Sequence, residues 1–314
     1  MKNNPFLYSD DHKRYHTWNY YLRHTYQSKV FKVALDAGLT CPNRDGTCGY
    51  GGCTYCTAVG SGEFAGRRSD DLMTQFMRGK EQMMHKWKGL AIPYFQAFTN
   101  TYCSLSKLKE MLMPFMKRAE IPAICIATRA DCLEDDKIAL LNQCAQTKDI
   151  WIELGLQSVH DKTARLIHRG HTYAQFSDSI QRLSKTNLHI CVHLINGLPS
   201  EDADQMIESA KVLSTLPIHA VKIHMLHIMK NTEMGRQYEQ CPFPLLTLEE
   251  YVDIVIRQLE CLPSQMIIQR LSGDGARHDL IAPQWSTNKK AVLNSIDKEM
   301  VRRNTWQSRC YSSV

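Results

Sequence analysis

Four cysteines fall within one short stretch, CPNRDGTCGYGGCTYC, which begins at Cys41. Cys53 and Cys56 form a C-x2-C pair, Cys41 lies a longer loop upstream, and Cys48 sits between them. Thiols so arranged can hold zinc, hold an iron–sulfur cluster or form disulfides. A structural zinc site usually recruits four ligands in two paired knuckles; no second C-x2-C follows this loop, and the H-x3-H of His189 and His193 lies inside a β-rich run. Iron–sulfur clusters are also usually held by four cysteines. A cluster held by three would leave one iron open to a substrate or cofactor, and the glycines of the loop would let the backbone wrap closely around it.

The rest of the chain narrows these choices. No apolar run approaches the roughly 18 residues that span a bilayer. The opening MKNNPFLYSDDHKRYH lacks the apolar core of a secretory signal. These features lead us to expect a cytoplasmic protein without membrane association, where clustered cysteines serve metal or redox chemistry rather than disulfides. Among the dispersed cysteines, Cys125, Cys144, Cys191 and Cys261 lie in apolar surroundings that suit small buried side chains. The formal charge of +6 permits an anionic partner without demanding one.

Positioning elements are visible as a repeat. Short β-rich runs occur at 29–35, 92–98, 123–129, 149–156, 189–195, 220–226 and 264–270, separated by amphipathic stretches that often open on Ser or Asp. Such alternation predicts an α/β fold with a parallel sheet and right-handed crossovers, closed as a complete or partial barrel or left open as a doubly wound sheet. In each case the working residues belong at the C-terminal ends of the strands. Those ends read QAFTNTY, ATRAD, ELGLQS, HLINGLPSED, KIHMLH and IIQRLSGD, and polar groups and glycines concentrate there. We take them as one face of a single site.

The spacing C-x11-C-x2-C after a first strand resembles the cluster loop of radical S-adenosylmethionine (SAM) enzymes. CPNRDGT followed by GGCTYC resembles the YhcC-like family, related in its radical domain to the catalytic subunit of Elongator. The likeness continues through YFQAFTNTY, TRADCL, WIELGLQSVHDKTARLIHRGH, HLINGLPSED, KIHMLHIMK and LIAPQW. It implies a partial (β/α)6-type radical SAM barrel at 29–275, with an N-terminal extension at 1–28 and a C-terminal one at 276–314. It also implies a 4Fe–4S cluster on Cys41, Cys53 and Cys56, with SAM on the open iron and Cys48 as a bystander. Reductive cleavage of SAM would then give a 5′-deoxyadenosyl radical, so an electron donor such as flavodoxin or ferredoxin is implied.

The same resemblance suggests the cofactor contacts. Tyr55 falls where family members place an aromatic residue beside the adenine. Gln96, Thr99, Asn100 and Thr101 match the strand end that binds the cofactor's amino group. Glu153, Gln157 and Ser158 resemble the segment at the sulfonium and ribose, and Arg169 suits the cofactor carboxylate. His193, Asn196 and Gly197 follow on the fifth strand, with Gly197 allowing close approach to the adenine. His224, near His227 and Lys222, is expected at substrate or cofactor rather than at a metal. Arg129 and Asp131 either face the site or pair with each other.

The substrate is the thinnest part of the sequence record. HKRYHTWNYYLRHTY mixes bases and aromatics as a nucleic-acid surface does, or else caps one end of the barrel. NKK at 288–290 and RRNTWQSR at 302–309 add further basic patches. Relatedness to Elongator makes tRNA the expected substrate. The target would be the C5 side chain of the wobble (thio)uridine, converted from carboxymethylaminomethyl toward aminomethyl, with a tRNA methyltransferase possible downstream. The alternatives are a radical SAM enzyme acting on a small metabolite or a protein, an iron–sulfur electron-transfer or sensor protein that never cleaves SAM, and a zinc-stabilised RNA-binding module.

Overall fold

The computed structural model describes residues 4–312. Its strands are β1 (Val30–Leu35), β2 (Leu90–Phe95), β3 (Ala123–Thr128), β4 (Asp149–Gln157), β5 (His189–Asn196), β6 (Ala220–Met225), β7 (Ile228–Met229), β8 (Ile267–Arg270) and β9 (Leu280–Ala282). Seven of them form one parallel sheet in the order β1-β2-β3-β4-β5-β6-β8, while β7 and β9 pair as a short antiparallel ribbon. The fold is the expected open radical SAM barrel, lengthened to seven strands by β8. The second strand stops at Phe95, so Gln96–Phe98 belong to the following loop.

Strand side chains alternate between two environments, as a period of two requires. Ile124, Ile126, Ile150, Ile152 and Leu154 face outward into the main core, against Phe76, Phe115, Phe176 and Val255 of the surrounding helices. Their neighbours in sequence face the barrel lumen, and these form layers. The floor is apolar: Val30, Ile92, Ala123, Trp151, Cys191, Ala220 and Ile267 cluster with Leu22, Trp18 and Tyr21. Above it stand Lys32, Tyr94, Glu153, His193 and Lys222, whose polar groups meet one another. Helix starts are capped largely as the Ser and Asp signals suggest, with Asp71, Ser104 and Asp202 each accepting from the first turn.

The N-terminal aromatics form the cap of the barrel. The helix Trp18–Tyr26 presents Trp18 and Tyr21 to Trp151, with ring centroids 4.8 and 5.6 Å away. Thr17 bridges to Ile268 of β8, and the helix packs against both β1 and β8, which end the sheet without pairing. The C-terminal basic segment is also used structurally. Gln307 is fully buried, donates to the carbonyls of Pro263 (2.6 Å) and Met266 (2.8 Å), and accepts from the His16 amide at 2.8 Å. Arg14 donates to the Thr305 carbonyl, and Arg303 pairs with Asp253 and Glu299. These contacts lie at the N-terminal ends of the strands, opposite the functional face. Cys125, Cys144 and Cys191 are buried as expected, whereas Cys261 is half-buried.

Trp151 is the keystone of the floor, with no exposed surface. Trp151→Ala is expected to destabilise the protein by about 3–5 kcal/mol, the usual cost of emptying a buried indole site. Denaturant titration of the apoprotein by far-UV circular dichroism measures it.

Candidate active site

Between β1 and the next helix the chain folds over the C-terminal ends of the strands. Its turns are internally bonded: the Arg44 amide meets the Cys41 carbonyl, the Gly52 amide meets the Asn43 carbonyl, and the Cys56 amide meets the Cys53 carbonyl, at 2.8–2.9 Å. Gly52 has a φ of +89°, and a Cβ there would sit 2.9 Å from Arg44 Nε. That space lets Arg44 lie across the loop and donate to the carbonyls of Cys56 and Thr57. The loop is also fastened to its surroundings. The Thr54 amide donates to the Ile167 carbonyl at 3.0 Å, and the Thr54 carbonyl accepts from the Met234 amide at 2.8 Å.

Cys41, Cys53 and Cys56 line one wall of a cavity of about 310 Å3, together with Tyr55. Asn43 donates to Cys53 Sγ at 3.6 Å and to the His168 carbonyl. Burial and the neighbouring Cys56 push the Cys53 thiol up to about 12, and burial raises Cys56 as well. Bound iron would reverse that penalty, because a coordinating thiol is deprotonated outright. Among the described residues no three His, Cys, Asp or Glu side chains are grouped to hold a metal ion. Three thiols on one cavity wall are the donor chemistry that an iron–sulfur cluster uses.

Cys48 is set apart from these three. It is exposed, lies in an outer groove with Tyr50, Arg165 and His168, and accepts from Arg129 at 3.6 Å. Arg129 forms a two-pronged pair with Asp131 at 2.9 and 2.7 Å and donates to the Arg169 carbonyl at 2.6 Å. Arg129 thus both lines the cavity and pairs with Asp131.

The strand ends bring most of the sequence-derived residues to the same cavity. Gln96, Thr99, Glu153, Gln157, Arg169, His193 and His224 line it alongside Tyr55 and the three cysteines. Gln157 reaches it through a register shift in β4, where its φ is +65°. Arg169 arrives with its guanidinium engaged by the carbonyls of His171 (3.0 Å), Leu156 (2.5 Å) and Ser158 (2.7 Å).

The other five lie outside the wall. Asn100 donates to the carbonyls of Phe95, Ala97 and Ala127, which shapes the turn after β2. Thr101 meets Thr128 and the Cys132 carbonyl, both at 2.5 Å. Ser158 bonds Glu201, and Asn196 exchanges hydrogen bonds with Gln258 at 2.8 and 2.9 Å. Gly197 turns the chain out of β5 with a φ of +88° and packs under Leu246.

Beneath the cavity, Glu153 is the electrostatic centre of the lumen. Its side chain has no exposed surface, and it pairs with Lys32 through Oε1 and Lys222 through Oε2. His193 Nε2 lies 3.3 Å from the second oxygen. Burial opposes the carboxylate, but Lys222 and Lys32 overcome that and hold its pKa well below the usual range. Tyr94 lies within 3.3 Å of Lys222, and both ammonium groups sit over its ring. Lys32, Tyr94 and Arg270 escape the motif-based sequence analysis. For Lys32 the available signal is a lysine at an alternating position inside the buried strand VFKVAL.

Sequence comparison places these features in a family. Residues 46–213 match the radical SAM superfamily and residues 218–302 match the radical SAM C-terminal domain. The chain is 47% identical to the uncharacterized protein YtqA of Bacillus subtilis, covering 100% of this chain and 98% of that one. It is 32% identical to protein YhcC of Escherichia coli, covering 88% of this chain and 89% of that one. A tRNA uridine(34) acetyltransferase of Methanocaldococcus infernus is 24% identical over 155 residues, 48% of this chain and 28% of that one. Among solved structures, archaeal Elp3 from Methanocaldococcus infernus superimposes with a TM-score of 0.67 at 19% identity, covering 88% of this chain and 64% of that one.

Alanine at Cys41, Cys53 or Cys56 is expected to abolish the iron–sulfur absorption of anaerobically reconstituted protein, while Cys48→Ala retains it and its iron content. A second expectation concerns pH. Burial lowers His193 from 6.5 to about 4, so the unfolded chain binds its proton first and stability is lost as pH falls from 6.5 toward 4. Glu153, whose pKa is depressed, contributes fully above 4.5 and loses that contribution only on deeper acidification. Chemical denaturation of the apoprotein at pH 7 and pH 5 is expected to differ, with roughly 1–2 kcal/mol of the loss removed in His193→Gln.

Proposed function

This chain belongs to the radical SAM superfamily, and from that premise we propose that it acts on the wobble uridine of tRNA. The conversion is that of a C5 carboxymethylaminomethyl group toward aminomethyl on (thio)uridine, with SAM as the two-electron oxidant. The methylene between amine and carboxylate loses a hydrogen atom and an electron, the amine loses a proton, and water hydrolyses the resulting imine to glyoxylate and the amine. The superfamily uses a 4Fe–4S cluster and SAM, which together supply hydrogen-atom abstraction after reductive cleavage of the sulfonium. The residues here fit that pair: Cys41, Cys53 and Cys56 would hold the cluster. The adjoining wall of Tyr55, Gln96, Thr99 and Gln157 would take SAM. The capped floor and packed lumen keep water from entering beneath the site.

The observation that carries the substrate class is the stretch shared with the archaeal tRNA uridine(34) acetyltransferase. The placement of charge supports it. A groove of about 660 Å3 adjoins the cavity along Gly273–Gly275 and Glu63, and it presents Arg277, Lys289 and Lys290. Phe64, in the same groove, is 57% exposed. Cations for phosphates and an open ring for stacking suit a splayed-out nucleotide. Of the basic patches in the sequence, only NKK lies at this mouth, since the others close the floor. An electron donor such as flavodoxin or ferredoxin is required to start each turnover. The aminomethyl product is a primary amine, so a tRNA methyltransferase can act on it next.

Deletion of the gene in its host is expected to leave tRNA with carboxymethylaminomethyl-(thio)uridine and without the aminomethyl-derived nucleosides, as read by mass spectrometry of digested tRNA. Reconstituted enzyme with SAM and reduced flavodoxin is expected to restore the aminomethyl form in vitro. An unchanged wobble nucleoside set in the deletion strain would refute the assignment.

A further inference from the structure

We propose that the charged layer of the barrel lumen is a binding site for one carboxylate of the substrate, received by Lys222, His224 and Arg270. A count of charge points there. Two ammonium groups, Lys32 and Lys222, share the single carboxylate of Glu153. At the cavity rim Arg270 and Lys289 share the carboxylate of Asp274. The histidines that face this layer carry no charge near neutral pH, because burial lowers His193 and His227 to about 4 and His224 well below its usual value. In the layer and at its rim the cations therefore outnumber the acids. A buried charge without a partner is costly, and a monoanion entering from the cavity would remove that cost.

The hydrogen-bond record agrees independently. His224 Nε2, Arg270 Nε and Gln269 Nε2 are buried and have no partner among the described residues. Buried polar groups are nearly always satisfied, and Arg270 Nε and Gln269 Nε2 can only donate, so this set calls for an acceptor that the described residues do not supply. His224, Arg270, Lys222 and Glu153 all border the cavity that the three thiols line. The missing acceptor can thus arrive through the same opening as a substrate. Charge also selects its type. A carboxylate brings one negative charge beside Glu153 where a dianionic phosphate would bring two, and it accepts from several donors at once.

The identity of that carboxylate as the carboxymethylamino end of a uridine side chain rests on the function proposed above; the anion site does not. Under that function, the lumen grips the group that is removed and the aminomethyl product, having lost its carboxylate, is bound less tightly.

The test measures binding to reconstituted holoenzyme saturated with SAM, without reductant, so that no turnover occurs and the carboxylate of SAM is already accounted for. Two ligand pairs are compared by calorimetry: 5-carboxymethylaminomethyluridine against its primary amide, and N-benzylglycine against N-benzylglycinamide. The acid nucleoside is expected to bind at least tenfold more tightly than its amide. Lys222→Met is expected to erase that preference, with iron content and melting temperature reporting whether the variant has folded. The ligand pairs on unaltered protein decide the matter if it has not. No preference for the acid in either pair, or no binding by any of the four, overturns the site. Preference confined to the benzyl pair upholds the site and instead overturns the uridine assignment.

Discussion

A carboxylate with no solvent contact in the middle of a barrel must be paired, and Glu153 is paired from three strands. Lys32 reaches it from β1, His193 from β5 and Lys222 from β6, while it stands on β4. These contacts cross the lumen, where the ladder hydrogen bonds of the sheet cannot reach. They bind β1 to the opposite part of an open sheet, and Lys32 continues the link to Gln269 of β8 at 2.8 Å. The two end strands are thus held through side chains and through the N-terminal helix rather than by a ladder. Removing Glu153 would leave two buried ammonium groups facing each other, which is why this one acid carries so much of the lumen's architecture.

That requirement divides the lumen by height. Below the charged layer, water must be excluded for the ion pairs to be strong, and the aromatic floor of Trp18, Tyr21 and Trp151 does so. Both chain termini are used to build the floor. Arg14 and His16 are buried there, and Gln307 stitches the C-terminal tail to Met266, just before β8, and to His16. Basic and aromatic side chains that would read as a binding surface in isolation have become packing and hydrogen-bond partners. The opposite face is left free for chemistry, with the cysteine loop over one side and the groove bearing Lys289 and Lys290 beside it.

Much of this is legible in the sequence, for identifiable reasons. Parallel strands buried on both faces show as dense apolar runs, so all seven sheet strands fall within three residues of their expected places. The cysteine loop is legible because its chemistry depends on spacing along one local segment. What escapes is whatever depends on the far side of the barrel. Asn196 sits in a motif with its neighbour Gly197, yet its amide is turned outward to Gln258, 62 residues away. Arg169 looks like a free cation in HRGH, but three backbone carbonyls that no motif reveals surround it. Lys32 reads as one more polar position in β1 until Glu153 is found across the lumen.

The layered lumen also explains why a positive charge can be tolerated under an iron–sulfur wall. The thiols that line the cavity would become anionic on binding iron, and the cations below them would then face negative charge from above as well as from Glu153. Arg44 and Arg129 bracket the cysteine loop on its other sides, one on the Cys56 and Thr57 carbonyls and the other on Asp131 and Cys48. The excess donors of the lumen and the anionic wall therefore define a field that runs through the cavity. A substrate whose negative end points into the barrel and whose reacting carbon lies nearer the thiols follows that field. Electrostatics would thereby orient the substrate before any contact to its nucleoside is made.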